Sequence, residues 1–148
     1  MPLDGTLPGS ALAELPERSF SVYLHVPFCR SRCGYCDFNT YTASELRGMS
    51  TGDYLTAALR EIDLAARVLG GGTPEVDTVF VGGGTPTMLP AGELSRLLDA
   101  VRERFGLVRD AEITTEANPE TVTPEYLRRL REAGFTRISL GMQSAVPH

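Results

Sequence analysis

The sequence predicts an α/β fold built around a parallel β-sheet. Segments with the two-residue periodicity of strands alternate with segments that have the 3.6-residue periodicity of helices, starting with a strand. This alternation is typical of βαβ units, in which neighbouring strands run parallel and a helix crosses between them. The length of 148 residues, with 42% hydrophobic and 22% charged residues, suits one globular domain with an apolar core.

The chain begins with an irregular stretch, and the first strand follows it. Residues 1–18 contain three prolines and two glycines but little periodicity, so we expect a flexible leader. The first strand is predicted over residues 19–26, where polar and apolar residues alternate and give the strand two different faces. Pro27 ends this strand, because proline has no N–H group to donate to a neighbouring strand.

Three helices are predicted from apolar residues that recur at spacings of three and four. They cover residues 53–69, 91–105 and 124–133. The predicted buried stripe of the second helix is Leu94, Leu97, Leu98 and Val101. A run of three glycines ends the first helix at Gly70. Thr123 is expected to cap the third helix, with Pro124 at its first position and Gly134 beyond its end.

Three more strands are predicted, over residues 76–81, 112–117 and 136–142. If the apolar strand faces contact the helices, the polar faces line the interior of a curved, barrel-like sheet. The residues expected to point inward are Tyr23, His25, Thr114, Glu116, Ser139 and Gln143. They lie near the carboxyl ends of their strands, where barrel enzymes place their active sites.

All three cysteines lie in one short loop after the first strand, Cys29-Arg-Ser-Arg-Cys33-Gly-Tyr-Cys36. An odd number of cysteines cannot all form disulfides within one chain, and the close spacing brings three sulfur atoms together, so we expect metal ligation. One possibility is a structural zinc ion with His25 as its fourth ligand. The other is a four-iron cluster in which three thiolates leave one iron open.

A glycine loop, Gly82-Gly83-Gly84-Thr85-Pro86, follows the second strand. Glycine serves either a tight turn with positive φ or the close approach of a ligand to the backbone, and these residues alone do not separate the two. A phosphate loop is not indicated, because the Gly-Lys-Ser/Thr ending of a Walker motif and the G-x-G-x-x-G pattern are both missing.

Other polar side chains near the strand ends are candidate ligand contacts. Glu116 would place a carboxylate in the barrel mouth, which is unfavourable unless the carboxylate is paired or hydrogen-bonded; the alternative is a solvated strand end. If Gln143 does not contact a ligand, it is an ordinary amide side chain in a loop. In the same way, Tyr23 is either a ligand contact or an aromatic residue of the core. We expect His25 to be a buried, hydrogen-bonded side chain and not a ligand of the cluster.

Four motifs, in order between about residues 20 and 144, resemble the radical S-adenosylmethionine (SAM) superfamily and, within it, the oxygen-independent coproporphyrinogen III oxidase group. They are Tyr-x-His-x-Pro-Phe-Cys with C-x3-C-x2-C, Gly-Gly-Gly-Thr-Pro-Thr, Glu-Ala-Asn-Pro-Glu, and Arg-x-Ser-Leu-Gly-Met-Gln-Ser. The resemblance implies a partial TIM barrel of the radical SAM type, truncated after about four strands. Residues 19–148 would be its N-terminal part, and the C-terminal part of the family's barrel would be absent.

The resemblance also implies site residues and cofactors. Cys29, Cys33 and Cys36 would hold a [4Fe-4S] cluster. The implied SAM contacts are Tyr23, Tyr35, Gly83, Gly84, Thr85, Glu116 and Gln143. In the family, the open iron of the cluster binds the amino and carboxylate groups of SAM, and one electron cleaves SAM to methionine and a 5′-deoxyadenosyl radical.

The position two residues after Cys36 separates two branches of the group. The oxidases have a fourth cysteine there, whereas this chain has Phe38. Cys-Asp-Phe-Asn resembles the heme chaperone branch, which implies that the protein binds heme and transfers it to apoproteins. The alternative is oxidative decarboxylation of coproporphyrinogen III to protoporphyrinogen, and a structural zinc module is a third possibility. The implied partners are SAM, heme or a porphyrinogen, an electron donor protein and heme-accepting apoproteins.

Charge and composition limit the remaining classes. A net charge of −5 gives no indication of a nucleic-acid partner, and no apolar run is long enough to cross a bilayer. The clustered thiols and the lack of a signal peptide predict a reducing compartment, the cytoplasm. Because the family's barrel has further strands beyond the fourth, we expect this chain alone to be marginally stable and inactive, with an exposed sheet edge.

Overall fold

The computed structural model of the protein describes residues 5–46, 48 and 50–142. Four strands of these described residues form one sheet, in which every neighbouring pair is parallel and the strands lie in chain order. The strands are β1 (Phe20–Val26), β2 (Val76–Gly83), β3 (Leu107–Ala117) and β4 (Arg137–Leu140). The prediction of an α/β fold with a parallel sheet is therefore confirmed.

In the described part of the chain, four α-helices accompany the sheet: α1 (Gly9–Ala13), α2 (Thr51–Leu69), α3 (Ala91–Phe105) and α4 (Pro124–Ala133). Helices α2, α3 and α4 each connect two consecutive strands, as expected for βαβ units. Within the part of the chain that is described, no helix combines the length and the apolar character that a membrane span requires.

The core lies between the sheet and helices α2, α3 and α4. The stripe predicted on α3 is at its centre, and all four side chains are 0% exposed: Leu94, Leu97, Leu98 and Val101. The apolar residues Leu24 and Val26 of β1 are buried against the same core. The prediction that the apolar strand faces contact the helices is confirmed.

Helix α4 begins and ends as its sequence predicts. The hydroxyl oxygen of Thr123 accepts a hydrogen bond from the Tyr126 amide at 3.1 Å, which satisfies one of the amides that the first turn leaves unpaired. Pro124 occupies the first helical position, and Gly134 adopts a left-handed conformation with φ of 109° after the last turn.

Two helices differ from the prediction. The leader includes α1, whose first turn forms when the Pro8 carbonyl accepts the amides of Ala11 and Leu12. The prolines predicted an irregular stretch, but the helix-favouring residues between them form a short helix. Helix α2 begins two residues earlier than predicted, because Ser50 and Asp53 form a reciprocal capping box.

The bounds of all four described strands also differ from the prediction, although β1 differs only in beginning one residue later, at Phe20. Strand β2 extends two residues further, into the glycine loop, and β4 is shorter than predicted at both ends. Strand β3 begins at Leu107, five residues early, because Leu107 pairs with Val76 across an irregularity in the register. The sequence Leu-Val-Arg-Asp does not alternate between polar and apolar residues, so its periodicity gave no sign of a strand.

On the face opposite the helices, the register of the sheet aligns the residues predicted to point inward in two rows, with Phe80 and Gly82 of β2 between them. Tyr23 lies beside Phe80, Phe80 beside Thr114, and Thr114 beside Arg137. Two residues further along each strand, His25 lies beside Gly82 and Glu116 beside Ser139. Because alternate residues of a strand share a face, the inward set predicted from the sequence shares one face. Gln143 lies outside the described residues.

Candidate functional site

A cleft of about 420 Å³ opens at the carboxyl ends of β1, β2, β3 and β4. This volume is in the range of small-molecule sites. Eight of the ten predicted site residues line the cleft: Cys29, Cys33, Cys36, Tyr35, Gly83, Gly84, Thr85 and Glu116. The cysteine loop and the glycine loop therefore meet at one site, as expected for loops that leave the same end of a parallel sheet.

The other two predicted site residues, Tyr23 and Gln143, are not among the described residues that line this cleft. Gln143 lies outside the described residues. The ring of Tyr23 stacks on Phe80, with 6.0 Å between the ring centroids, and its side chain is 57% exposed. Partial burial, and then the negative charge of Glu116, raise the pKa of the Tyr23 hydroxyl. The structure thus places Tyr23 in the electrostatic field of the site but outside the cleft.

The base of the cysteine loop is closed by backbone hydrogen bonds. The Cys29 amide donates to the Tyr41 carbonyl at 2.9 Å, and the Tyr41 amide donates to the Pro27 carbonyl at 2.7 Å. Within the loop, the Cys36 amide donates to the Cys33 carbonyl at 3.1 Å. These bonds fix the two ends of the loop beside each other, so all three cysteines stay at the mouth of the sheet.

All three cysteines are free thiols. Among the described residues, no three His, Cys, Asp or Glu side chains are grouped closely enough to hold a single metal ion. The thiolates of a four-iron cluster bind different iron atoms, so they do not need to converge on one point as the ligands of a zinc ion do. Three free thiols on the wall of one cleft fit the ligand chemistry of such a cluster.

The glycine loop is hydrogen-bonded to the segment that leads into the cysteine loop. The Gly84 amide donates to the Val26 carbonyl at 2.8 Å, and the Thr85 amide donates to the Phe28 carbonyl at 2.6 Å. A Cβ built on Gly84 would lie 2.5 Å from the Phe28 carbonyl oxygen. The two loops therefore form one unit, in which only glycine fits at position 84 without a shift of the backbone.

Gly83 has a separate reason to be glycine. Its φ is 116°, a value that side chains with L configuration rarely adopt. A Cβ at this position would lie 2.7 Å from the imidazole of His25. The turn interpretation therefore agrees with the conformation of Gly83. At Gly84 the close neighbours are protein atoms, the Phe28 carbonyl and the Cys29 sulfur, so close approach of a ligand to the glycine loop stays a prediction.

Glu116 is half-buried at the end of β3 and is hydrogen-bonded to the glycine loop. One of its carboxylate oxygens accepts from the Gly83 amide at 3.0 Å. A Cβ at Gly82 would lie 2.8 Å from this same oxygen, so the missing side chain leaves room for the carboxylate. The side chain of Glu116 is therefore not fully solvated at the strand end, which was the alternative considered from the sequence.

His25 uses both ring nitrogens inside the protein. Its Nε2 donates to the Asn39 carbonyl at 2.8 Å, since a carbonyl oxygen can only accept. Its Nδ1 is hydrogen-bonded to the Tyr23 hydroxyl at 3.1 Å. The expectation of a hydrogen-bonded histidine agrees with this geometry, but His25 is half-buried and not fully buried as expected. Neither ring nitrogen is left available for a metal.

Asn118 is a further residue of the site, which was not predicted from the sequence. Asn118 lines the cleft, and its side-chain amide donates to the Thr85 hydroxyl at 3.1 Å. It connects the end of β3 with the glycine loop. Its position two residues after Glu116, inside the motif Glu-Ala-Asn-Pro-Glu, was the available signal.

Comparisons with curated proteins find heme chaperones and coproporphyrinogen oxidases. The chain is 55% identical over 141 residues to the heme chaperone HemW of Mycobacterium tuberculosis, covering 95% of this chain and 35% of that protein. It is 43% identical over 125 residues to HemW of Escherichia coli K12, covering 84% and 32%. It is 38% identical over 133 residues to the oxygen-independent coproporphyrinogen III oxidase of the same strain, covering 90% and 28%. The chain thus spans about a third of the length of these relatives.

The structure is similar to that of coproporphyrinogen III oxidase (HemN) from Escherichia coli, which is described as a radical SAM enzyme. The TM-score is 0.81 at 36% sequence identity, over 93% of this chain and 31% of that one. The family model of the radical SAM superfamily matches residues 23–148. Members of this superfamily generally use a [4Fe-4S] cluster and SAM. With a cysteine loop, a glycine loop and a half-buried glutamate around one cleft, the chain belongs to the radical SAM superfamily.

Proposed function

We propose that this chain is the cluster-binding and SAM-binding part of a heme chaperone. The observation that supports this most is that the glycine loop is hydrogen-bonded to the segment leading into the cysteine loop, so that both loops line a single cleft. The identity to two heme chaperones, 55% and 43%, is higher than the 38% identity to the oxidase. Phe38, at the position where the oxidases have a fourth cysteine, agrees with this choice.

Cys29, Cys33 and Cys36 would hold a [4Fe-4S] cluster on one wall of the cleft. With three thiolates for four irons, one iron stays open to a small molecule. When bound, the cluster supplies one-electron chemistry toward SAM, and the protein binds, orients and shields the reactants.

SAM would bind between the cysteine loop and the glycine loop. The Glu116 carboxylate is an acceptor for the positively charged amino group of SAM, and the charge on both partners strengthens such a hydrogen bond. Gly83 and Gly84 present backbone without side chains, so a ligand can approach closely. Tyr35 and Thr85 lie on the same cleft. Tyr23 and Gln143 remain predicted SAM contacts.

Under the same proposal, the protein binds heme and transfers it to apoproteins. It receives electrons from a donor protein and is located in the cytoplasm. The second candidate function is oxidation of a porphyrinogen, which the similarity to the Escherichia coli oxidase structure favours. On the full-length protein, assays of heme transfer to an apoprotein and of coproporphyrinogen III turnover separate the two. Heme transfer without turnover supports the chaperone.

Anaerobic iron–sulfide reconstitution followed by electron paramagnetic resonance, with and without SAM, tests the cofactor proposal. We expect a reduced [4Fe-4S] signal that changes when SAM is added. Serine variants of the three cysteines should each lower the bound iron, whereas Ser31→Ala, inside the same loop, should not. A colourless protein that holds zinc would contradict the proposal and favour a structural metal site.

A further inference from the structure

We propose that Thr40 is a positioning residue for Cys36, whose sulfur accepts a hydrogen bond from the Thr40 hydroxyl, and that this bond raises the reduction potential of the bound cluster. The inference rests on the proposed ligation of a [4Fe-4S] cluster by the cysteine loop. It assigns a role to a threonine that lies four residues beyond the last cysteine and outside the motifs of the sequence.

The geometry at Thr40 supports a hydrogen bond to sulfur. Thr40 is only 2% exposed, although it belongs to a loop at the surface. Its hydroxyl oxygen lies 3.7 Å from the sulfur of Cys36, which is within hydrogen-bonding distance for a sulfur atom. With a free thiol, either group can be the donor. A thiolate that binds iron has no hydrogen, so the Thr40 hydroxyl must then be the donor.

The backbone of Thr40 is held in place from two directions. The guanidinium of Arg32, inside the cysteine loop, donates to the Thr40 carbonyl at 2.7 Å. Arg32 is itself paired with the Glu45 carboxylate at 3.2 Å. The Thr40 amide donates to the Phe38 carbonyl at 2.8 Å. Because these bonds fix the backbone, little conformational entropy is lost when the hydroxyl is directed at the sulfur.

The electrostatic effect of such a bond has a definite sign. A hydrogen bond to a cysteine sulfur withdraws electron density from it, which stabilises the reduced, more negative cluster more than the oxidised one. Hydrogen bonds to the sulfurs are among the factors that set cluster potentials. The bond is also stronger at a buried position than in water, because the local dielectric is low. Loss of the hydroxyl should therefore make the cluster harder to reduce.

A redox titration of the anaerobically reconstituted protein, with dithionite as reductant and electron paramagnetic resonance as readout, tests the proposal. Thr40→Val removes the hydroxyl and keeps the shape of the side chain, and Thr40→Ser keeps the hydroxyl. We expect Thr40→Val to lower the equilibrium constant for reduction roughly threefold to tenfold, a shift of about 30 to 60 mV to more negative potential for a one-electron couple. Thr40→Ser and the remote control Thr73→Val should keep the wild-type potential.

Each result has one meaning. Equal potentials for the wild type and Thr40→Val overturn this inference and leave the proposed function intact. A wild-type protein that assembles no [4Fe-4S] cluster overturns both. If Thr40→Val does not assemble a cluster, Thr40→Ala replaces it in the comparison with Thr40→Ser. If Thr40→Ser also loses the cluster, the packing of the methyl group and not the hydroxyl is responsible, and the inference is wrong.

Discussion

Gly84 lies directly against Cys29: a Cβ built on Gly84 would stand 2.9 Å from the cysteine sulfur. The amide of the same glycine donates to the carbonyl of Val26, three residues before that cysteine. The loop proposed to bind SAM and the loop proposed to bind the cluster are thus in contact at one residue. Their distance is set by the backbone, so a change at residue 84 should affect both loops together.

Gly84→Ala should destabilise the protein and disrupt the site. The new methyl group would overlap the Phe28 carbonyl and the Cys29 sulfur, and the backbone would have to shift. Overpacking of this kind lowers the free energy of unfolding by about 1–3 kcal/mol. Urea denaturation measures this change, and the iron bound after reconstitution should fall with it.

Gly92→Ala is the matched control for this substitution. Gly92 lies in α3, and apart from its chain neighbours and the backbone of its own helix, no atom lies within 4 Å of a Cβ built there. The substitution should leave iron binding unchanged and raise the free energy of unfolding by less than about 1 kcal/mol, since alanine favours helix over glycine. Equal behaviour of the two variants would show that residue 84 has room for a side chain.

Glu116→Gln should weaken SAM binding without unfolding the protein. The glutamine side chain has nearly the same shape and keeps an oxygen that can accept from the Gly83 amide. Only the negative charge is lost, and a hydrogen bond to a charged group contributes about 1.5–3 kcal/mol. The dissociation constant for SAM should therefore rise roughly 10-fold to 100-fold. Titration of SAM into the reconstituted protein measures it.

Glu112→Gln is the control for charge alone. Glu112 lies on the same strand and the same face as Glu116, four residues earlier, and is paired with Arg137 away from the cleft. SAM affinity should stay close to the wild-type value in this variant. If both variants lose affinity equally, the general negative charge of the sheet face and not Glu116 itself attracts SAM.

The parts of the fold that depend on local chemistry could be predicted from the sequence. Helix α4 is an example, because Thr123 and Gly134 determine its ends through bonds to residues close by in the chain. The bond between Glu116 and Gly83 could not be predicted in this way, because the two residues are 33 positions apart and only the register of β2 and β3 brings them together. Alternation placed Tyr23 on the correct face, but its stacking on Phe80 depends on a neighbouring strand.

Thr123→Ala should remove the N-terminal cap of α4. The Tyr126 amide would lose the hydroxyl oxygen that accepts its hydrogen bond. The loss of such a cap lowers the free energy of unfolding by about 1 kcal/mol. Urea denaturation measures the change, with Thr123→Ser as the control that keeps the hydroxyl. A Thr123→Ala variant as stable as the serine variant would show that water replaces the cap without loss.

The stability of the protein should fall at high pH because of Tyr54. The Tyr54 hydroxyl donates to the His25 carbonyl at 2.8 Å. Burial, and then the negative charge of Glu61, raise the pKa of Tyr54 from 10.0 to about 12. A raised pKa means that the folded state holds its proton more tightly than the unfolded state. The stability that the protonated Tyr54 hydroxyl contributes is therefore fully present below pH 10 and is lost as the pH rises to about 12.

Urea denaturation of the wild type and of Tyr54→Phe, at neutral pH and then in steps above pH 10, separates this contribution from others. Phenylalanine cannot ionise, so the stability of Tyr54→Phe should fall less steeply in that range. At neutral pH the variant should be less stable by about 1 kcal/mol, because the hydrogen bond to His25 is lost. Some pH dependence should remain in Tyr54→Phe, because burial and the negative charge of Glu93 also raise the pKa of Tyr126. Parallel pH profiles for the wild type and Tyr54→Phe would mean that Tyr54 ionises as easily in the folded protein as in the unfolded chain.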